Sequence, residues 1–64
     1  MDKRQLELLQ MVKDTLRSVE QEIAATLKTL DNQDWINALS SLEFVKIAAE
    51  RCSVAIRRNF IAAP

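Results

Sequence analysis

Apolar residues recur at helical spacing along the chain, and in its second half they form two separate rows. The first row comprises Trp35, Ala38, Leu42, Val45, Ala49, Cys52 and Ile56. The second row comprises Ile36, Phe44, Ile47, Val54 and Ile61. At about 100° per residue the two rows lie on opposite faces of one helix. A helix in an isolated hairpin buries only one face against its neighbour, so the second row is predicted to be an oligomer interface with another chain.

The first half of the chain carries one broad apolar stripe with heptad spacing. One core position is occupied by Leu9, Leu16, Ile23 and Leu30, and the other by Val12, Val19 and Thr26. The stripe is widened by Leu6, Leu8 and Leu27, which is typical of a bundle helix rather than a narrow coiled-coil seam. We expect three residues of the first row, Leu42, Val45 and Ile56, to pack on the first helix of the same chain. Their predicted contacts are Leu9, Leu16, Val19 and Ile23.

Two similar groups of polar residues mark the starts of the helices. Asp2 can cap the first helix, and Gln5 stands where it completes a capping box. The arrangement recurs with Asp31 as the cap and Asp34 three residues later. These signals predict a first helix over about 2–31 and a second over about 33–61. A short connection makes the two helices antiparallel.

Two alternatives to this division stay open at the level of sequence. No glycine or proline separates the two halves, so one unbroken helix is also compatible with the pattern. Ser40 and Glu43 form a possible capping box inside the second helix, which would indicate a break there. We favour two helices, with the second continuous through Ser40 and Ser41, because serine is common in the middle of helices.

Composition supports an all-α fold in one domain that spans residues 1–64. The chain has no glycine, and its only proline is Pro64. A chain of 64 residues buries only about 60% of the surface that its unfolded form exposes, so its stability is marginal. One cysteine and no histidine leave no internal disulfide and no evident metal site, so oligomerisation is the remaining source of stability. We therefore expect an antiparallel hairpin that self-associates, with a dimeric four-helix bundle preferred over a higher oligomer.

No residue pattern in the sequence indicates catalysis or a bound cofactor. The acidic residues are spread along the first helix without a histidine to form a general acid–base pair, so we predict no enzyme activity, no cofactor and no small-molecule substrate. Cys52 lies in the first row, where burial would keep its thiol protonated and unreactive.

Charge defines one candidate contact site. Nine basic and nine acidic residues cancel, so long-range attraction to nucleic acid or to an anionic membrane is weak. The most basic segment contains Arg51, Arg57 and Arg58, which could contact phosphate or an acidic partner, or could simply be solvated at a helix end. Lys13 and Glu20 border the apolar stripe, where they could pair across a subunit boundary or face water.

The segment Leu30-Asp31-Asn32-Gln33-Asp34, between two helices of equal length, resembles the turn of the Rop family of small plasmid-encoded copy-number regulators. The resemblance implies an antiparallel four-helix dimer. The RNA-binding face of that family is polar and aromatic, whereas the first helix here presents residues such as Arg4, Glu7, Asp14 and Gln21. RNA binding is therefore not implied. The chain also resembles the short helical accessory proteins that phages and plasmids encode.

These observations predict a non-enzymatic interaction or regulatory protein that acts through helical surfaces. Its expected partners are a second copy of the chain and another protein. The alternatives are an RNA-binding regulator and a subunit or chaperone of a hetero-oligomeric complex. Because no segment is apolar over the about 18 residues that would span a membrane, and no apolar leader follows the first residues, we expect a cytoplasmic protein without a membrane partner.

Overall fold

The computed structural model describes residues 1–61, which form two antiparallel helices packed side by side. Helix α1 covers Lys3–Asp31 and helix α2 covers Trp35–Ile56. The chain continues from α2 as a π-helical turn over Arg57–Ile61. The described residues contain no strand. The prediction of an all-helical hairpin is confirmed, and the alternative of one unbroken helix is wrong.

Helix α1 begins with the predicted capping box. The Asp2 carboxylate accepts a hydrogen bond from the Gln5 backbone N–H at 2.8 Å, and Gln5 Oε1 accepts one from the Asp2 backbone N–H at 3.2 Å. Both donors belong to the group of backbone N–H groups that have no partner inside the helix. The cap therefore sets the start of α1 by local chemistry alone.

The connection between the helices differs from the prediction. Asp34, not Asp31, caps α2, because its carboxylate accepts hydrogen bonds from the backbone N–H of Asn37 at 3.3 Å and from the Asn37 side chain at 2.6 Å. Asp31 is the last residue of α1. The second helix therefore begins at Trp35 rather than near residue 33, since the chain uses residues 32–34 to reverse direction.

The reversal places a residue other than glycine in the left-handed region. Gln33 has a φ of 56°, which costs a non-glycine residue about 1–2 kcal/mol. The conformation lets the Gln33 N–H donate to the Leu30 carbonyl at 3.0 Å and the Asp34 N–H donate to the Thr29 carbonyl at 2.8 Å. These bonds satisfy carbonyl groups at the end of α1 and offset the backbone strain.

The two helices meet along a narrow seam of small side chains. The buried residues of the seam are Val12, Val19 and Thr26 in α1 and Ala38, Ala48 and Cys52 in α2. Ala38 is only 2% exposed. The Thr26 hydroxyl donates to the Glu22 carbonyl of its own helix at 2.8 Å, so burial leaves it satisfied. Small residues at a helix contact allow the axes to approach closely.

The first row of α2 is only partly inside the hairpin. Ala38 and Cys52 are buried and Val45 is half-buried, as expected for the row, but Leu42 and Ile56 remain exposed. The residues of the row that stay exposed are Trp35, Leu42, Ala49 and Ile56. The seam is narrow, so α1 buries only one line of residues along α2. The larger side chains of the first row lie beside that line and stay exposed.

Large residues of the α1 heptad also lie beside the seam and stay exposed. Leu16 is 44% exposed and Ile23 is 43% exposed, whereas the valines of the heptad are buried. The prediction that Leu42, Val45 and Ile56 pack on Leu9, Leu16, Val19 and Ile23 therefore agrees with the observed burial only in part. Val19 is buried and Leu9 and Val45 are half-buried, whereas the other four stay exposed. The seam selects the smaller residues of the heptad, Val12, Val19 and Thr26, for the contact between the helices.

Helix α2 is continuous through Ser40 and Ser41, as predicted, and widens only near its end. In the π-helical turn the Asn59 side-chain amide donates to the Ala55 carbonyl at 2.9 Å. The Asn59 carbonyl in turn accepts a hydrogen bond from Gln5 Nε2 at 3.3 Å. This bond joins the first turn of α1 to the π-helical turn that follows α2, at the end of the hairpin opposite the connection between the helices.

Candidate functional site

A cleft lies along one side of the seam between α1 and α2. It has a volume of about 330 Å³. The residues that line it are Met11, Val12, Thr15, Ser18, Phe44, Ala48, Arg51 and Cys52. We call this cleft the phenylalanine groove. Its walls are largely apolar, and Arg51 is the charged residue of its lining.

The lining of the phenylalanine groove also identifies the large side chains that lie on the opposite side of the seam. In α1, Met11 stands one residue before a buried seam valine, and Leu9 stands three residues before the same valine. In α2, Phe44 and Leu42 have the same relation to the half-buried Val45. At about 100° per residue, positions one and three residues before a seam residue flank the seam on opposite sides. Because Met11 and Phe44 line one cleft, Leu9 and Leu42 lie together on the opposite side.

That opposite side is a continuous apolar surface, which we call the leucine face. Its members are Leu6, Leu9, Leu16, Ile23, Leu27 and Leu30 from α1 and Trp35, Leu42, Ala49 and Ile56 from α2. Trp35 is 63% exposed and Leu27 is 59% exposed. The face follows the length of a hairpin whose extents are 47, 17 and 11 Å. Exposed apolar side chains in this number make the leucine face a candidate interaction site.

The five residues of the second row are also accessible in the single chain. Phe44, Ile47, Ile36 and Ile61 are exposed, and Val54 is half-buried. Phe44 forms part of the phenylalanine groove, whereas the remaining four are not in its lining. At about 100° per residue, Ile47 lies one step around the helix from the seam residue Ala48, and Val54 lies one step from the half-buried Ala55. The prediction that the second row contacts another chain stays a prediction.

The three arginines of the candidate contact site do not form one cluster. Arg51 lines the phenylalanine groove, while Arg57 and Arg58 belong to the exposed π-helical turn. Within residues 1–61 the ion pair is Asp14–Arg17, at 3.0 Å. None of the three arginines therefore has a carboxylate within ion-pair distance in the described part of the chain.

Cys52 lies in the seam and is 7% exposed, which confirms the predicted burial. Its neighbours in the phenylalanine groove are apolar or neutral apart from Arg51. Residues 1–61 hold no group of three metal-ligating side chains. Neither helix within the same residues is both long and apolar enough to cross a membrane.

Sequence reasoning missed the leucine face as an exposed surface. A usable signal was present, because the heptad residues divide by size into a small set with Val12 and Thr26 and a large set with Leu16 and Ile23. The first row of α2 divides in the same way, with Ala38 and Cys52 against Leu42 and Ile56. Small residues in both helices indicate the close contact, and large residues in both indicate the shared outer face.

No protein-family model matches the sequence, and no similar curated protein or solved structure was found.

Proposed function

We propose that this chain is a non-enzymatic interaction protein that works as a homodimer, in which two hairpins join through their leucine faces into a four-helix bundle. The exposed leucine face carries the proposal. The face runs along a hairpin whose longest extent is 47 Å, and it presents large apolar side chains from both helices. It therefore has the apolar character that the core of a dimer interface requires.

The weakness of the seam also supports self-association. The most deeply buried side chains within residues 1–61 are small, with two alanines, one cysteine, one threonine and two valines. Burial stabilises by about 25 cal/mol per Å² of apolar surface, so small side chains contribute little each. A chain of this size commonly needs a second copy or another partner to bury enough surface.

The proposal also includes a second protein as a partner, which would bind to the surfaces that such a dimer leaves open. The phenylalanine groove lies on the side of the seam opposite the leucine face, so it stays accessible in each copy. The second row extends this apolar surface with Ile47 and Val54. We assign the docking of another protein to this side of the hairpin, where Phe44 and Arg51 combine an apolar anchor with a charge.

Light scattering on the chromatographed chain tests the dimer. The expected mass is twice the chain mass of 7.3 kDa, and the melting temperature should rise with chain concentration because association stabilises only the folded state. A stable helical monomer at millimolar concentration would contradict the proposal. An unfolded or aggregated chain would favour the hetero-oligomeric alternative, in which the leucine face needs a different protein.

A second candidate function is RNA binding, and the three arginines without a carboxylate partner favour it. An electrostatic RNA contact predicts an affinity that falls steeply with salt concentration. The experiment is titration of a structured RNA at low and physiological salt, with Arg51, Arg57 and Arg58 replaced together by glutamine as the comparison. The same affinity for both proteins, or no binding by the parent at low salt, would exclude this function.

A further inference from the structure

The apolar residues that α1 contributes to the leucine face are spaced almost symmetrically about Leu16 along the sequence. Counted from Leu16, Leu9 stands seven residues before and Ile23 stands seven residues after. Leu6 and Leu27 stand ten residues before and eleven residues after. All of these side chains belong to the leucine face, where Leu9 is half-buried and the other four are exposed. A helix with such a pattern can place its apolar residues against those of an identical helix that runs in the opposite direction.

The charges that border the leucine face follow the same symmetry with opposite signs. Lys13 stands three residues before Leu16, and Glu20 stands four residues after it. Both side chains are exposed. They are separated by seven residues, about 10.5 Å along a helix at 1.5 Å per residue, which is too far for a direct ion pair between them. Neither has an ion-pair partner within residues 1–61, where Arg17 pairs with Asp14.

We propose that a second copy docks on the leucine face with its α1 antiparallel to α1 of the first copy and with the two-fold axis near Leu16. This inference rests on the proposed dimer and specifies its arrangement. In a two-fold interface a contact between positions i and j occurs twice, once in each direction. Lys13 of each copy therefore meets Glu20 of the other, and Leu9 of each copy packs near Ile23 of the other.

The position of this axis agrees with the length of the helix. Helix α1 covers Lys3–Asp31, so Leu16 lies one residue from its middle. Two copies related by an axis at Leu16 overlap along nearly the whole of α1. The antiparallel direction also places the partial positive end of each helix beside the partial negative end of the other, which is favourable for the helix dipoles.

The rival arrangement places α1 on α2 of the second copy. Positions 13 and 20 would then face the border of α2, where Lys46 is exposed, and would not meet each other. The two arrangements bury the same apolar residues. They differ in whether the side chain at position 13 of one copy interacts electrostatically with the side chain at position 20 of the other.

A pair of charge variants separates these arrangements. In E20K both border positions are basic, and in K13E both are acidic. Exposed ion pairs contribute about 0.2–1 kcal/mol each, and each substitution replaces two such pairs by like charges, so we expect each variant alone to dimerise about tenfold more weakly than the parent. Mixed in equal amounts, with one variant labelled with ¹⁵N, they should form about nine heterodimers in every ten dimers by native mass spectrometry, against the statistical half.

Two controls exclude an effect of net charge or of folding. The variants E7K and K28E change charge by the same amounts at exposed positions on the side of α1 away from the leucine face, and their mixture should stay near the statistical half. The double variant K13E/E20K exchanges the two charges within one chain. It should recover the parent's dimer affinity, whereas in the rival arrangement the exchange brings a lysine at position 20 against Lys46 and affinity falls.

A thiol cross-link gives a second, independent measurement. In a C52A background, L16C places the new thiol near the two-fold axis, so air oxidation should yield a disulfide-linked dimer rapidly. Q21C in the same background is the matched control, since position 21 is exposed on the outer side of α1, and it should cross-link slowly. If the parent is a dimer but the mixed variants pair statistically and L16C is no faster than Q21C, the arrangement is wrong and the dimer stands. If the parent chain is a monomer, both the proposed dimer and this arrangement are wrong.

Discussion

The close contact along the seam predicts that Ala38→Leu destabilises the hairpin. Ala38 is 2% exposed, lies in the seam of α2 and is not part of the lining of the phenylalanine groove. A leucine adds three carbon atoms at a position that neighbouring atoms already cover. Overpacking of this kind costs about 1–3 kcal/mol, because side chains leave their preferred rotamers or the backbones move apart. We expect a loss of about 2 kcal/mol, or about 10 °C in melting temperature for a domain of this size.

The matched control is Ala25→Leu. Ala25 belongs to α1 and is exposed, so the same substitution adds the same atoms without meeting the seam. Alanine and leucine have nearly equal helix propensity, and surface substitutions usually change stability by less than about 0.5 kcal/mol. Any difference between the two variants therefore reports the packing of the seam.

Urea denaturation followed by circular dichroism at 222 nm measures both variants at one fixed chain concentration, because the stability of an oligomer depends on concentration. The expected result is a lower midpoint for Ala38→Leu with an unchanged slope, and the parent's midpoint for Ala25→Leu. If Ala38→Leu is as stable as the parent, the helices do not meet closely at this position, and the assignment of small residues to the seam is refuted.

Three further predictions follow from the same geometry. Asp34→Ala should cost about 1 kcal/mol through loss of the α2 cap, whereas Asp31→Ala should cost little; equal effects, measured by denaturation, would contradict the assigned cap. Cys52 should react slowly with a thiol reagent in the native chain and rapidly in denaturant, and rapid native labelling would place it outside the seam. Phe44→Glu combined with Ile47→Lys should leave the dimer mass unchanged by light scattering, since the second row lies away from the leucine face. A monomer would instead make the second row the self-association surface.

Local signals in the sequence were sufficient for the fold class and for one helix start. The chain has no glycine and no internal proline, and its apolar residues recur at helical spacing. Both features favour α-helix over other regular structure. The Asp2–Gln5 capping box depends on residues three apart, so it forms whatever the rest of the chain does. The burial of Cys52 was also predictable, because it shares a face with Ala38 and Val45.

The turn shows where local signals became ambiguous. Asp31 and Asp34 are both suitable caps, and sequence reasoning selected Asp31. The choice depends on where α1 ends, and that in turn depends on the reversal through Gln33 in the left-handed region. A glycine would have marked this conformation, whereas glutamine adopts it only because hydrogen bonds at the end of α1 stabilise it.

The sequence by itself determined that two helices carry apolar residues on more than one face, and only the tertiary structure decided which of them meet inside the hairpin. Heptad spacing cannot distinguish the two adjacent core positions, because in a bundle both must be removed from water, one against the same chain and one against another. The structure assigns Val12 and Ala38 to the seam and leaves Leu16 and Leu42 outside it. The physical reason is side-chain size: small residues let the axes approach along the seam, and the large ones remain beside it on the leucine face.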